Sequence, residues 1–315
     1  MSDVEQSPPE GFAIGHWTAP SAPTGCTVVL PPAGTRAAVD VRGGGPGTRE
    51  TDVIDPLANP EEATAVLLTG GSAHGLAAAD GVVRWCEEQG RGYVTPAGLV
   101  PLVPAAVIYD LNADPGAPSV RPGPDAGYAA CEAASPGVPE RGRVGAGRGA
   151  AVAKVRGREA GAPGGVGYAA MRTGAGEAVA ALAVVNATGD IVDERGELIA
   201  GPRDEDGKMG RSADLLAAGV APPYEPPERA STTLACVLTD AGLDKVGCAK
   251  VARMASAGVA RAVDPVFTPF DGDVVFCLAA GDPRPDPWQI VRLGTVAATL
   301  VAAAVRDGVR RAATS

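Results

Sequence analysis

The sequence predicts an α/β fold whose strands and helices form a single domain interrupted by one long loop. Short apolar runs alternate with segments of helical character along the whole chain. A stretch rich in proline, glycine and mixed charge, Gly201 to Ala230, then sets two strands and two helices apart from everything before them. Those last elements are too few to close a core, so their strands need partners from the earlier segment. With 45% apolar residues in a chain of 315, there is ample material for a shared core.

In chain order, Thr27 to Leu30 and Ala37 to Val41 read as short strands joined by a Pro31-Pro32-Ala33-Gly34 turn, with His16 ahead of them in a segment read as irregular. Thr64 to Thr69 is an apolar run that meets Gly70-Gly71-Ser72-Ala73-His74-Gly75, and Leu76 to Glu88 follows with helical character. Ala105 to Leu111 reads as a buried strand and Ala126 to Ala134 as a helix of small residues. The chain is glycine-rich from Gly145. Val179 to Val185 and Asp190 to Asp193 then flank Asn186-Ala187-Thr188-Gly189, a hairpin signal. After Thr232 the order is strand (Leu234 to Leu238), helix (Leu243 to Ala262), strand (Val274 to Ala279) and helix (Trp288 to Arg311). Val251, Met254, Ala255, Gly258 and Ala262 share one helical face.

A formal charge of −10 with no run of Lys or Arg argues against nucleic acid and acidic membrane surfaces as partners. Leu293 to Val305, the longest uncharged apolar stretch, is too short to span a bilayer and reads as a buried helix. The six cysteines lie far apart without a C-x-x-C pair and read as reduced core residues. Residues 1–7 lack the basic and apolar regions of a signal peptide, so the expected compartment is the cytoplasm. His and Cys spacing offers no metal site. Gly145 to Ala150 lacks the preceding strand, the ribose-binding acid and the Gly-Lys-Ser/Thr ending of nucleotide loops, so no cofactor is expected.

The chemistry points to the junction where Pro222 to Ala230 runs into Ser231-Thr232-Thr233-Leu234. A threonine that opens a buried strand after a polar linker becomes, on cleavage of the bond before it, a residue with both a nucleophilic hydroxyl and a free α-amine. The chain has only two histidines, His16 and His74, where a serine or cysteine hydrolase normally takes its base from an imidazole. An α-amine titrates near about 7.7–8.0 and can stand in for one, whereas a lysine near about 10.4 needs a large downward shift.

Leu67-Leu68-Thr69-Gly70-Gly71-Ser72-Ala73-His74-Gly75, Val103 to Leu111, the Thr-Thr-Leu-Ala-x-x-x-Thr-Asp-Ala register at Thr232 to Ala241, and Phe270-Asp271-Gly272-Asp273 together resemble the L-aminopeptidase/D-esterase family. That family includes β-peptidyl aminopeptidases, pantetheine hydrolases and nylon-oligomer hydrolases. The resemblance implies a four-layer αββα sandwich, as in ornithine acetyltransferases, and a precursor that cuts itself into fragments 1–231 and 232–315. It also implies amide hydrolysis on small peptides, amino acid amides or ω-amino acid oligomers, and a homo-oligomer, a tetramer of cleaved protomers. By the same resemblance Thr232 is the nucleophile and Lys154 an electrostatic neighbour. Asn186 is an oxyanion donor, Tyr109 an aromatic that can donate to the oxyanion, and Asp271 with Asp273 the acidic pair that holds the α-amine and Lys154. The residues alone leave other readings open: a surface lysine, an asparagine in a hairpin turn, a core tyrosine, and a solvated Asp-Gly-Asp turn.

Many members of the family carry Asn or Gly before the nucleophile, and here Ser231 stands there. A cut before Ser231 is therefore an alternative, although the downstream register favours Thr232. Two other classes stay in view: an acyltransferase of the ornithine acetyltransferase type, and an unprocessed relative without catalytic function.

Overall fold

Strands that read as unbroken apolar runs are buried on both faces, and the fold is arranged around that fact. The structure, a computed structural model, describes residues 6–114, 116, 120–220, 231–284 and 286–314. Of the proline-rich stretch, residues 221–230 lie outside the described residues.

Two five-stranded sheets form the centre. The first is ordered β1-β2-β5-β6-β4, with β1 at Ala13–Thr18, β2 at Gly25–Leu30, β4 at Thr48–Arg49, β5 at Val66–Thr69 and β6 at Ala105–Val107. The second is ordered β7-β8-β9-β10-β3, with β3 at Arg36–Val41, β7 at Val166–Arg172, β8 at Ala178–Asn186, β9 at Thr232–Thr239 and β10 at Val274–Ala279. Neighbours are antiparallel except β5 with β6 and β9 with β10. Helices α1 (Ala78–Glu88) and α2 (Pro124–Glu132) cover the first sheet. The short α3 (Ser212–Ala217) lies in the long loop, and α4 (Lys245–Ala260) and α5 (Pro287–Ala312) cover the second sheet.

Side-chain alternation builds the layers. On β9, Leu234, Cys236 and Leu238 enter the layer between the sheets, while Ala235 and Val237 face the helices. On β8, Ala180, Leu182 and Val184 point between the sheets, and Val179, Ala181, Ala183 and Val185 point toward α4 and α5. Phe276 on β10 and Val29, Val66 and Leu68 of the first sheet complete the middle layer. Cys26, Val28 and Leu67 face α1 and α2. The result is the αββα sandwich expected. Small residues bring α5 close to β7: a Cβ on Gly167 would stand 1.9 Å from the carbonyl oxygen of Ala304.

The elements differ from expectation in several places. His16 lies in β1 paired to Thr27, because Ala13–Thr18 finds a partner strand and the middle layer takes Ile14. Asn186 to Gly189 is not a hairpin turn, since β8 pairs with β7 and β9 whereas Asp190–Val192 pairs with strands of a separate small sheet. The Pro31–Gly34 turn carries the chain from one sheet to the other, and β7 arises within the glycine-rich region. Finally, α5 has 26 residues and a mean hydropathy of 1.5 in its most apolar window, so by length and composition it can cross a membrane. It packs instead against β7, β8 and α4, with half of that window buried. All six cysteines are buried free thiols.

Truncating the middle layer is expected to be severe. In an intact chain carrying Thr232→Ala, Phe276→Ala should lower the unfolding free energy by about 3–5 kcal/mol. Val246→Ala on the exposed side of α4 should change it by no more than about 0.5 kcal/mol, both read from urea unfolding.

Candidate active site

Thr232 is the first residue of β9, and its register partner across the antiparallel ladder is Asn186, the last residue of β8. Both continue the alternation that points between the sheets, so the two side chains meet at the mouth of the middle layer. On the other edge of β9 the ladder extends beyond the strands, with Ser231 bridging Asp271. Ser231 N–H donates to the Phe270 carbonyl at 3.3 Å, and Gly272 N–H donates to the Ser231 carbonyl at 2.8 Å. The Thr232 hydroxyl donates to that same carbonyl oxygen at 2.6 Å. The bond between Ser231 and Thr232 is thus buried, extended and held from both strand edges.

Lys154 reaches Asn186 from a loop after Ala151–Val152. Its Nζ donates to the Asn186 carbonyl at 3.0 Å and to Asn186 Oδ1 at 3.1 Å. The loop is aimed by its backbone: Ala153 has φ of 58°, in the left-handed region that a Cβ disfavours. Ala153 N–H and Lys154 N–H are tied to the carbonyls of Gly189 and Thr188, each at 2.9 Å. The Asn186 amide is oriented on both sides. Its Oδ1 also accepts Ala151 N–H at 3.1 Å, and its Nδ2 donates to the Tyr109 carbonyl at 3.2 Å. Tyr109 follows β6, so this bond joins the two sheets across the mouth, and it uses the main chain of Tyr109 rather than the phenol.

Asp271 and Asp273 flank Gly272 just before β10, and both are buried. Asp271 accepts Thr188 N–H at 3.3 Å on one oxygen and the Thr268 N–H and hydroxyl, at 2.9 and 2.5 Å, on the other. Asp273 accepts Thr233 N–H at 2.5 Å. Their main chain is held by the glycine run after β3. Arg42 N–H and Gly43 N–H donate to the Asp273 carbonyl at 2.9 and 3.3 Å, and Gly45 N–H donates to the Asp271 carbonyl at 2.9 Å. Glycine is required at 43, where a Cβ would stand 2.2 Å from the Asp271 carbonyl oxygen.

Burial sets the electrostatics. It pushes the Lys154 ammonium down to about 7, with the nearby Arg158 cation adding to the fall and the carboxylates of Asp271 and Asp273 opposing it. Burial, then the neighbouring Asp271, raises Asp273 above the usual carboxylate range. Arg158 donates to the Gly149 carbonyl at 2.6 Å and offsets part of the burial that raises Asp110, whose carboxylate accepts Gly71 N–H at 2.7 Å. His16 is pushed down to about 4 by burial, and its Nδ1 pairs with the Thr27 hydroxyl at 2.9 Å. His74 is exposed in a 3-10 turn after β5.

Thr232, Ser231, Asn186, Lys154, Asp271 and Asp273 are therefore gathered at one place, with Tyr109 attached through its carbonyl. Sequence reasoning passed over Gly43 to Gly45, Thr268 and Arg158. The glycine run was a readable sign of close backbone approach. Thr268 and Arg158 carried no comparable pattern.

Two sheets packed face to face between helix layers, with this cluster at one mouth of the middle layer, define a fold of the N-terminal-nucleophile hydrolase type. The same architecture is seen in the L-aminopeptidase D-Ala-esterase/amidase of Ochrobactrum anthropi, described as a variant of that fold, with a TM-score of 0.68 over 98% of this chain and 88% of that one at 18% identity. A Burkholderia sp. beta-aminopeptidase matches with a TM-score of 0.68 over 97% and 88% at 20% identity. A profile of peptidase family S58 matches residues 9–315, and the chain belongs to that family of aminopeptidases and amide hydrolases. An uncharacterized aminopeptidase of Mycobacterium tuberculosis is 41% identical over 96% of this chain and 92% of its own length. A 6-aminohexanoate-oligomer endohydrolase of Agromyces sp. is 32% identical over 86% and 74%.

Two measurements test the site's construction, both in a Thr232→Ala background. Ala153→Gly should raise stability by about 1 kcal/mol by relieving the left-handed backbone, seen as a higher Tm. Lys154→Met should raise Tm more at pH 6 than at pH 10. A folded pKa lowered to about 7 from 10.5 means the buried charge destabilises fully below pH 7, and the penalty is relieved as pH rises toward 10.5.

Proposed function

We propose that the chain matures by cutting the Ser231–Thr232 bond and then hydrolyses short amides with Thr232 as nucleophile. The observation that carries this reading is the placement of the Thr232 hydroxyl against the carbonyl of the bond to be cut, within a buried cluster of Lys154, Asn186, Asp271 and Asp273. Maturation is an N-to-O acyl shift. Thr232 Oγ1 bonds to the Ser231 carbonyl carbon, the C–N bond breaks with the proton ending on nitrogen, and water then splits the ester. The freed α-amine takes the proton from Oγ1 in each later turnover and returns it to the leaving amine, and a second water clears the acyl-enzyme.

Each neighbour has a part in this reading. The positive charge of Lys154 favours the neutral α-amine. The Asn186 amide, with the Tyr109 region opposite, faces the developing oxyanion. Asp271 and Asp273 hold the α-amine and Lys154 in place. Cleaved fragments 1–231 and 232–315 remain one domain, since β9 is paired to β8 and β10 to β3 across the cut. For substrate, the 41% identity to a protein named an aminopeptidase supports short amides with a free amino end. Other relatives are named 6-aminohexanoate-oligomer endohydrolases, which keeps linear ω-amino acid oligomers beside them as the second substrate class.

Mass spectrometry of the purified protein should show two polypeptides, the smaller starting at Thr232. Thr232→Ala should stay full-length with activity reduced at least about 10⁴-fold. A full-length wild type, or cleavage before residue 232 in the Thr232→Ala protein, would falsify the reading. A panel of aminoacyl p-nitroanilides, β-alanyl amides and aminohexanoate oligomers, each with and without an N-acetyl cap, sorts the substrate. Capping should lower kcat/KM about 100-fold or more, and equal rates with the cap would rule out aminopeptidase action.

A further inference from the structure

We infer that the main-chain N–H of Gly272 is the oxyanion donor for self-cleavage, and that maturation and amide hydrolysis use different oxyanion donors. This rests on the self-cleavage reading above.

As Thr232 Oγ1 adds to the Ser231 carbonyl carbon, the π pair moves onto the carbonyl oxygen, and that oxygen needs a donor already in place. Among the described residues it has one from the main chain, Gly272 N–H at 2.8 Å. The Thr232 hydroxyl at 2.6 Å is the attacking group and leaves the oxygen when it attacks. The side chain otherwise suited to the task, the Asn186 amide, is not bonded to that oxygen among the described residues of the uncut chain. Asn186 Nδ2 donates to the Tyr109 carbonyl, and its Oδ1 accepts from Ala151 and Lys154.

The Gly272 donor is also fixed before the reaction. The carbonyls on either side of it, of Asp271 and Asp273, accept main-chain N–H groups from Gly45, Arg42 and Gly43. The peptide therefore has no freedom to turn away. Residue 272 sits against the reacting atoms: a Cβ there would lie 2.9 Å from Thr232 Oγ1 and 2.8 Å from the Gly45 carbonyl oxygen. Once the bond is cut, Ser231 ends in a carboxylate that departs from Thr232, and a substrate carbonyl arrives from the Asn186 side.

The test removes one hydrogen. The Gly247–Cys248 bond suits native ligation, so residues 1–247 as a thioester can be joined to synthetic 248–315 in which Gly272 is replaced by glycolic acid, turning its N–H into an ester oxygen. An all-amide ligation product is the control. Self-cleavage of the ester protein should be slower by about 100-fold. Once matured by long incubation, it should hydrolyse an aminoacyl p-nitroanilide within about threefold of the control. Cleavage at the control rate overturns the inference, and so does an equal loss in both reactions. An all-amide control that stays uncut refutes self-cleavage itself and is thereby distinguishable. If the ester protein does not fold, the through-bond NMR coupling between Gly272 nitrogen and the Ser231 carbonyl carbon in recombinant Thr232→Ala decides: its detection supports the inference, its absence overturns it.

Discussion

Strand β9 has neither a face nor an edge in water. Its two faces are covered by the middle layer and by helices, and its two edges are paired to β8 and β10. Everything at the site follows from that enclosure. Residue 232 is set opposite Asn186 by the antiparallel ladder and beside the Asp271–Asp273 segment by the parallel one. Groups from distant parts of the chain are thus positioned by main-chain hydrogen bonds, which are short, directional and expensive to leave unmade in a dry interior. Side chains then need only small adjustments to meet.

Enclosure also explains the charges. A lysine and three aspartates lie buried at or beside the mouth of the middle layer, with the half-buried Arg158 next to them. Burial pulls Lys154 toward its neutral form and Asp273 toward its protonated form, so both stand nearer to exchanging protons around neutral pH than free side chains do. The strained backbone at Ala153 belongs to the same arrangement, since it carries the lysine into a position that ordinary helix or strand geometry does not reach.

Much of the fold was legible because continuous apolar runs bounded by glycine and proline mark strands buried on both faces. Val274 to Ala279 was read to the residue, and Thr232 was correctly expected to open a strand. What could not be read was sheet membership. β2 and β3 look like neighbours around a four-residue turn, yet they belong to different sheets, and Asn186 to Gly189 looks like a hairpin although it crosses from one sheet to another. Turn chemistry is local, whereas pairing is decided by distant partners. The individual site residues became visible through motif resemblance. Of their supports, the Gly43 to Gly45 run was a readable sign of close backbone approach, whereas Thr268 and Arg158 act through another side chain and left no comparable trace.

Strand β3 lies on the far edge of the second sheet, beyond β10, although it comes from the beginning of the chain. The C-terminal strands are therefore flanked on one side by β8 and on the other by β3. This imposes an order in time. The geometry at Ser231 exists only after strands from the start, the middle and the end of the polypeptide have been assembled into one sheet. In the proposed maturation, an uncut chain is one that has not finished folding or has only just done so, and the cut becomes a lasting record that folding came first.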